Sequence, residues 1–197
     1  MNETRRQINK ITGMGIILAL VVIFQFINNY VPIGFLPFNL ALFPIALGSF
    51  LFGPWAGLLF GVIDGLLILA APSTQAIFAS YNLFATILLC LGKTGLAGLA
   101  SGFIFKAFEK KHPMVGAVIG SLAVPFINTG IFYIVTYLIF AEPIMALLKM
   151  SDDAGLFIAI GVYVIGVNFF IEALVNGALS PIIYKLYSLY IKKHPIE

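Results

Sequence analysis

The longest charge-free stretch of the chain, residues 11–63, reads ITGMGIILALVVIFQFINNYVPIGFLPFNLALFPIALGSFLFGPWAGLLFGVI. It contains no Asp, Glu, Lys or Arg, and a membrane helix needs only about 20 apolar residues. Because three prolines and the Gly53-Pro54 pair interrupt the stretch, it cannot form one continuous helix. It therefore predicts several successive membrane spans joined by tight turns, one of them at Gly53-Pro54.

The rest of the chain has the same character. Of its 197 residues, 61% are hydrophobic and only 10% are charged, whereas a soluble domain carries about 25% charged residues. Too little polar surface remains to cover a soluble globule, which excludes a soluble enzyme. The hydrophobic residues suffice for about six spans of roughly 20 residues, so we predict an all-α integral membrane protein with one domain over residues 1–197. The six transmembrane helices are placed at about residues 12–31, 38–52, 56–71, 81–105, 114–140 and 156–187.

The basic residues predict how the chain is oriented in the membrane. With six spans, nine of the eleven Lys and Arg residues fall on one face, in three clusters: Arg5, Arg6 and Lys10; Lys106, Lys110 and Lys111; and Lys185, Lys192 and Lys193. Cytoplasmic segments are rich in Lys and Arg, so both termini are predicted to be cytoplasmic. A cleaved signal peptide is the alternative for the N-terminal run, but the run is too long and lacks a small-residue cleavage pattern.

The connections and the small residues add local predictions. Residues 72–80 are predicted to be a loop, and residues 141–155 to hold a short amphipathic helix. Glycines recur at four-residue spacing, a pattern that lets membrane helices approach closely. They are Gly57, Gly61 and Gly65; Gly98 and Gly102; and Gly116 and Gly120.

Three ionisable residues lie within predicted spans, where a charge is costly: Asp64, Lys93 and Glu172. They either form a buried structural network or mark a functional site. Amides and hydroxyls on the same helical faces favour a site for a small polar molecule, formed by several helices and open to the outside. The predicted substrate-binding residues are Gln25, Asn28, Asn29, Gln75, Tyr81, Asn82, Thr86, Lys93, Asn128, Asn168 and Glu172. No metal-ligand spacing, nucleophile elbow or Walker loop occurs, so no catalytic or metal-binding residue is predicted.

Four stretches in order carry a family resemblance. They are LFGPWAG at residues 51–57, LGKTGLAGLASG at residues 91–102, Gly120 followed by Asn128-Thr129, and NFFIE at residues 168–172 followed by Ser180-Pro181. Together they resemble the S component of an energy-coupling factor (ECF) vitamin transporter, and the pattern looks nearest to the pantothenate-type branch. The chain departs from the family at Gly92-Lys93, where Pro-Arg is usual.

The resemblance implies a six-helix subunit in the bacterial cell membrane that binds a vitamin, with pantothenate as the best guess, and has no catalytic activity. It implies as partners a coupling membrane protein and two ATP-binding cassette ATPases, on which the loaded subunit topples to release its substrate. ATP is then used by the partners, and no cofactor is expected in this chain. Gly15 and Ala19 match in size the small residues by which the family docks on the coupling protein.

Other functions are compatible with the same residues. A small facilitator or channel would also need polar helix faces, and it would transport without partners. An intramembrane enzyme could use Asp64 and Glu172, although no nucleophile or metal set accompanies them. Riboflavin or another vitamin is the alternative substrate.

Overall fold

The computed structural model describes residues 3–30, 39–149, 155, 157, 158, 160, 161 and 166–193. This part of the chain contains helices and no strand, which confirms the all-α prediction. The helices are α1 (Glu3–Tyr30), α2 (Leu42–Phe52), α3 (Pro54–Leu69), α4 (Pro72–Thr74) with a π-helical turn (Gln75–Ala79), α5 (Leu83–Phe108), α6 (Pro113–Ile139), α7 (Ala141–Leu148) and α8 (Val167–Lys193).

Four of these helices, α1, α5, α6 and α8, are long and apolar enough to cross a membrane. A fifth candidate arises if α3 and the segment Pro72–Ala79 form one span despite the 69° bend between them. Helix α2 is apolar but has only 11 residues, which is shorter than a straight span requires. The chain is thus a multi-pass membrane protein, while the number of six spans and the cytoplasmic termini stay predictions.

The main difference from the predicted layout lies between α3 and α5. The predicted loop at residues 72–80 is wrong, because Pro72 begins a helical segment that continues through the π-helical turn. Proline suits the first helical position, where its missing N–H is not needed, and burial of Phe78 holds the turn against the bundle. The first part of the predicted last span, residues 156–166, lies largely outside the described residues, and α8 ends at Lys193.

The predicted turn at Gly53-Pro54 is confirmed. Gly53 adopts a φ of 95°, a left-handed conformation that glycine accepts without steric cost. Pro54 then occupies the start of α3, where its fixed φ favours helix initiation. This turn joins α2 to α3.

The glycine spacing is confirmed as a packing signal. A Cβ atom at Gly57, Gly61 or Gly65 of α3 would overlap the carbonyl oxygen of Gly98, Thr94 or Cys90 of α5, respectively. These six residues define the α3–α5 seam, where the two backbones are in direct contact. A hydroxyl hydrogen bond of 2.6 Å from Thr94 Oγ1 to the Gly61 carbonyl crosses the seam.

Two apolar clusters complete the bundle. The larger one joins α1, α2, α3, α5, α6 and α8 through buried side chains such as Val21, Leu42, Ile45, Phe60 and Ile183. The smaller one includes Phe78, Leu89, Phe140 and Ile144. Helix α7 confirms the predicted amphipathic helix: the apolar Ile144 is fully buried, whereas the charged Glu142 in its first turn is exposed.

Candidate functional site

A cavity of about 830 Å³, counted together with its open mouth, lies among five of the long helical segments. Seven of the predicted site residues line it: Gln25, Asn28 and Asn29 from α1, Lys93 from α5, Asn128 from α6, and Asn168 and Glu172 from α8. The other lining residues are Asn39, Ile68, Ala71, Ser73, Thr74, Phe78, Leu89, Cys90, Thr129 and Phe132. The described lining therefore combines many amides and hydroxyls with one ammonium, one carboxyl group and two aromatic rings.

Lys93 is the cation of this cavity. Helix α5 holds it next to Thr94 of the seam, and its side chain is only 9% exposed. The Lys93 Nζ atom lies 5.6 Å from the centre of the Phe132 ring, within the range of a cation–π interaction. Within the described part of the chain, no carboxylate oxygen comes within the 4.0 Å of Nζ that an ion pair requires. The ammonium is therefore buried, held by an aromatic ring, and available to an anion.

Glu172 lies in α8 and is hydrogen-bonded on both oxygens. Its Oε1 accepts a 2.7 Å hydrogen bond from the Asn39 backbone N–H, and its Oε2 accepts a 3.4 Å hydrogen bond from the Thr129 hydroxyl. The side chain is 5% exposed. These contacts tie α8 to α6 and to the segment that precedes α2.

Asn39 is the centre of a buried polar network. Besides its backbone bond to Glu172, its Nδ2 donates a 2.7 Å hydrogen bond to Asp64 Oδ2. Its Oδ1 accepts from the Ala41 backbone N–H at 2.9 Å and from Asn28 Nδ2 at 3.3 Å. Asp64 itself is fully buried in α3 and does not line the cavity. Asn39 thus contacts both carboxyl groups of the region.

Three amides near the C-terminal end of α1 belong to this network: Gln25, Asn28 and Asn29. Asn28 Nδ2 also donates to Gln25 Oε1 at 3.2 Å, and Gln25 Nε2 donates to Asn29 Oδ1 at 3.3 Å. Asn28 Oδ1 accepts from the Leu40 backbone N–H at 3.3 Å. These bonds orient the three amides, which line the cavity while retaining lone pairs and N–H groups for a ligand.

Two further amides line the cavity from α6 and α8. Asn128 is 4% exposed, and its Oδ1 accepts no hydrogen bond from any described residue. A buried amide oxygen without a partner is costly in an apolar surrounding, so it favours the presence of a polar ligand or water beside it. Asn168 is partly buried and lines the same cavity.

The other four predicted substrate-binding residues lie outside the lining, and each has another contact. Gln75 is exposed and donates to the Leu69 carbonyl at 2.6 Å, and the exposed Tyr81 hydroxyl donates to Glu142 at 2.8 Å. Asn82 caps α5 by accepting from the Ala85 N–H at 3.0 Å. Thr86 donates to the Asn82 carbonyl at 2.8 Å. We therefore leave these four residues out of the proposed binding set.

Of the ten lining residues outside the predicted binding set, Asn39 and Phe132 matter most, because Asn39 bonds to both carboxyl groups and Phe132 contacts Lys93. Asn39 stands two residues before Ala41, the N-cap of α2, so it lies outside the capping position and no local pattern marks it. Phe132 follows Asn128 by four residues, so both lie on one helical face. An aromatic residue one turn from a predicted site amide is the signal that could have found it.

The arrangement suits binding rather than bond breaking. It offers one cation for an anionic group, amides and hydroxyls for polar groups, and the Phe78 and Phe132 rings for an apolar body. No group of three or more His, Cys, Asp or Glu residues that could hold a metal ion occurs among the described residues.

Comparison with known proteins gives a family. The model of the family described as "ECF transporter, substrate-specific component" matches residues 9–184. A search of curated proteins finds no match. The family match covers most of the chain, including every helix that lines the cavity. The chain therefore belongs to the family of substrate-specific components of ECF transporters.

Proposed function

We propose that this chain captures pantothenate, or a closely related anionic vitamin, from outside the cell for an ATP-driven importer. Members of its family are substrate-binding subunits that work with a membrane coupling protein and ATPases, and the family is not an enzyme family. ATP is then used by the partner ATPases, and this chain needs no cofactor of its own. The bacterial plasma membrane is its proposed location.

The observation that carries this proposal is the unpaired Lys93 ammonium. A buried ammonium without an ion-pair partner is unfavourable, and among the described residues the contact of the Lys93 Nζ atom is with the Phe132 ring, 5.6 Å away. A substrate carboxylate would supply the missing charge and form a charge-assisted hydrogen bond. An anionic substrate is therefore favoured over a neutral one.

Pantothenate fits the remaining lining by its chemistry. It carries one carboxylate, two hydroxyl groups and one amide, joined by a short aliphatic segment. The amides of Asn28, Asn128 and Asn168 offer both donors and acceptors for the hydroxyl and amide groups. Riboflavin has no carboxylate, and its flat ring would have to stack on Phe78 or Phe132. The charge of Lys93 therefore favours pantothenate over riboflavin.

The first experiment identifies the ligand directly. Native mass spectrometry of the detergent-purified chain, followed by extraction of the bound molecule, should show one pantothenate per chain. A stoichiometric neutral vitamin would contradict the proposed substrate. An empty protein with no thermal shift on a vitamin panel would favour a facilitator or channel, and flux through liposomes containing the chain alone would then be expected.

The role of Lys93 is tested with a matched pair of ligands. Panthenol replaces the carboxylate of pantothenate with a neutral alcohol and keeps the rest of the molecule. We expect Lys93→Ala and Lys93→Met to weaken pantothenate binding more than about tenfold, roughly 1.4 kcal/mol, while panthenol affinity changes little. Lys93→Arg retains the charge and serves as the control. An equal loss for both ligands would remove the charge of Lys93 from substrate recognition.

Partner docking is proposed at Gly15 and Ala19 of α1. Both residues are exposed, and no atom lies within 4 Å of the position a Cβ would take at Gly15. Small residues on an open helix face allow another membrane helix to approach closely. We propose that this face contacts the coupling protein when the loaded subunit topples, with both termini in the cytoplasm.

This docking face is tested by separating binding from uptake. Gly15→Leu and Ala19→Leu should leave pantothenate affinity unchanged and abolish uptake in cells that carry the coupling protein and ATPases. Exposed Ile23, on the same helix, offers a control as Ile23→Leu. Loss of substrate binding in the Leu variants would instead place the two residues in internal packing.

A further inference from the structure

Among the described residues, the region around the cavity holds two buried carboxyl groups and one buried ammonium, and no ion pair joins them. Glu172 and Lys93 line the same cavity. Asp64 and Lys93 lie next to Gly65 and Thr94, two residues of the α3–α5 seam, so the packing of these helices brings them into one region. Oppositely charged groups in a poorly solvated interior attract strongly. If either carboxylate reached Lys93, it would neutralise the ammonium internally and compete with an anionic substrate. A feature that holds the carboxyl groups in place would therefore keep the ammonium available to the substrate.

That feature is Asn39. Its side-chain Nδ2 donates to Asp64 at 2.7 Å, and its backbone N–H donates to Glu172 at 2.7 Å. One residue thus provides a hydrogen bond to each carboxyl group, and both bonds are short for N–H···O contacts. Glu172 is held by a backbone group, which almost any residue would retain, whereas Asp64 is held by the amide itself.

The orientation of the Asn39 amide is fixed by its neighbours. Its Oδ1 accepts hydrogen bonds from Ala41 N–H and Asn28 Nδ2. Both of these partners are donors, so the opposite assignment, with the amide nitrogen facing them, would place donors against donors. The network therefore directs Nδ2 toward Asp64 and leaves the orientation of this side chain little freedom.

We propose that Asn39 is a positioning residue that binds Asp64 and keeps it from pairing with Lys93, so that Lys93 remains available to the anionic group of the substrate. This inference rests on the proposed function for the charge of the substrate, but the contact it concerns exists without substrate. It also assigns a role to Asp64, which is buried but does not line the cavity. Asp64 anchors the segment before α2 through its hydrogen bond with Asn39, and the same bond keeps Asp64 from competing with the substrate for Lys93.

The test uses Asn39→Ser. A serine oxygen can still accept from the Ala41 N–H, and the backbone bond to Glu172 remains, but the side chain is too short to replace the amide at Asp64. The freed Asp64 should then pair with Lys93. Asn176→Ser is the matched control, because Asn176 is an asparagine that is 1% exposed and lies outside the cavity lining.

A ligand-free double-mutant cycle measures the pairing directly. Asp64→Asn, Lys93→Met and the double variant are compared in the wild-type, Asn39→Ser and Asn176→Ser backgrounds by the midpoint of thermal unfolding. We expect the non-additivity to be larger by roughly 2–4 °C in the Asn39→Ser background than in the other two. An unchanged non-additivity in that background overturns the inference, whatever the ligand.

Substrate discrimination gives the second readout. The ratio of pantothenate to panthenol affinity should fall by about tenfold in Asn39→Ser and recover when Asp64→Asn is added. A merely structural defect would lower both affinities together, and Asp64→Asn would not restore the ratio, which would contradict a positioning role. If the wild-type protein itself shows no preference for the acid, the proposed function fails, while the ligand-free cycle still decides the role of Asn39.

Discussion

The α3–α5 seam and the cavity lie on adjacent faces of the same helix, α5, and they are built in opposite ways. At the seam, the glycines Gly57, Gly61 and Gly98 have no side chain, so the backbones of α3 and α5 are in direct contact. At the cavity, polar side chains from several helices converge on Lys93. Lys93 and Thr94 are neighbours in sequence, and Lys93 lines the cavity whereas Thr94 belongs to the seam.

This difference explains how a flexible, charged side chain can be held in a defined place. Lysine carries considerable rotamer freedom, and a cavity alone would not fix the position of its backbone. The seam supplies that rigidity, because the glycines allow α5 to pack directly against α3. Changes at the seam should therefore affect folding first, whereas changes at the cavity should affect either local hydrogen bonding or ligand choice.

The largest effect is expected at the seam. Gly61→Ala places a methyl group against the Thr94 carbonyl, and the helices must separate to accommodate it. Overpacking that shifts the backbone costs about 1–3 kcal/mol and occasionally more, and a contact with a backbone carbonyl places this variant at the upper end. We expect a large loss of unfolding free energy, measured by denaturation in detergent micelles.

Gly130→Ala is the control for this substitution. Gly130 lies in the long helix α6, but no atom lies within 4 Å of its Cβ position. Alanine favours helices over glycine by about 1 kcal/mol, so this variant should be as stable as the wild type or more so. Equal stability of the two alanine variants would show that the seam is looser than the structure indicates.

The seam was predictable from sequence, and the cavity was predictable only in part. Glycines four residues apart give a local periodic signal, and charged residues in apolar runs, such as Lys93 and Glu172, stand out by composition. Asn39 gives no such signal, because its partners Asp64 and Glu172 lie 25 and 133 positions away. Only the folded chain brings these three residues together.

Some residues predicted to bind the substrate do not line the cavity, and their hydrogen bonds explain why. Gln75, Asn82 and Thr86 satisfy their hydrogen bonds within a few residues, through a helix end or a cap. Short polar side chains often bond to nearby backbone groups in this way. A helical wheel records which face such a residue occupies, but not whether its polar group is already satisfied locally.

The second prediction separates hydrogen bonding from charge at the cavity. Glu172→Leu removes the acceptor of the Asn39 N–H, and a buried N–H without a partner costs about 2 kcal/mol. Glu172→Gln also removes the charge but keeps a carbonyl oxygen for that N–H. We expect Leu to lower the free energy of unfolding by about 2 kcal/mol relative to Gln, measured by the same denaturation. Indistinguishable variants would argue against the Asn39 bond as a structural tie.

The third prediction sharpens the boundary of the cavity. Asn82→Ala removes the side-chain cap of α5, which should cost about 1 kcal/mol of stability, while pantothenate affinity stays unchanged. Asn82→Asp keeps a capping oxygen and should restore stability. The two readouts are thermal unfolding and equilibrium binding. A loss of affinity without a loss of stability would return Asn82 to the substrate-binding set.

The smallest effect is expected from the single hydroxyl at the seam. Thr94→Val keeps the shape of the side chain but removes the hydrogen bond to the Gly61 carbonyl, and such bonds between membrane helices contribute about 0.6 kcal/mol on average.

Thr136→Val is the matched control: Thr136 is fully buried in α6, and its hydroxyl has no hydrogen-bond partner among the described residues. Because removing an unsatisfied buried hydroxyl relieves a desolvation cost, Thr136→Val should leave the protein equally stable or stabilise it. We expect Thr94→Val to be the less stable of the two by somewhat under 1 kcal/mol, in the same denaturation assay. A loss several times larger would mean that the seam depends on this hydroxyl as much as on its glycines. The seam would then be held by side-chain hydrogen bonding as well as by backbone packing, and it would resemble the cavity more than we propose.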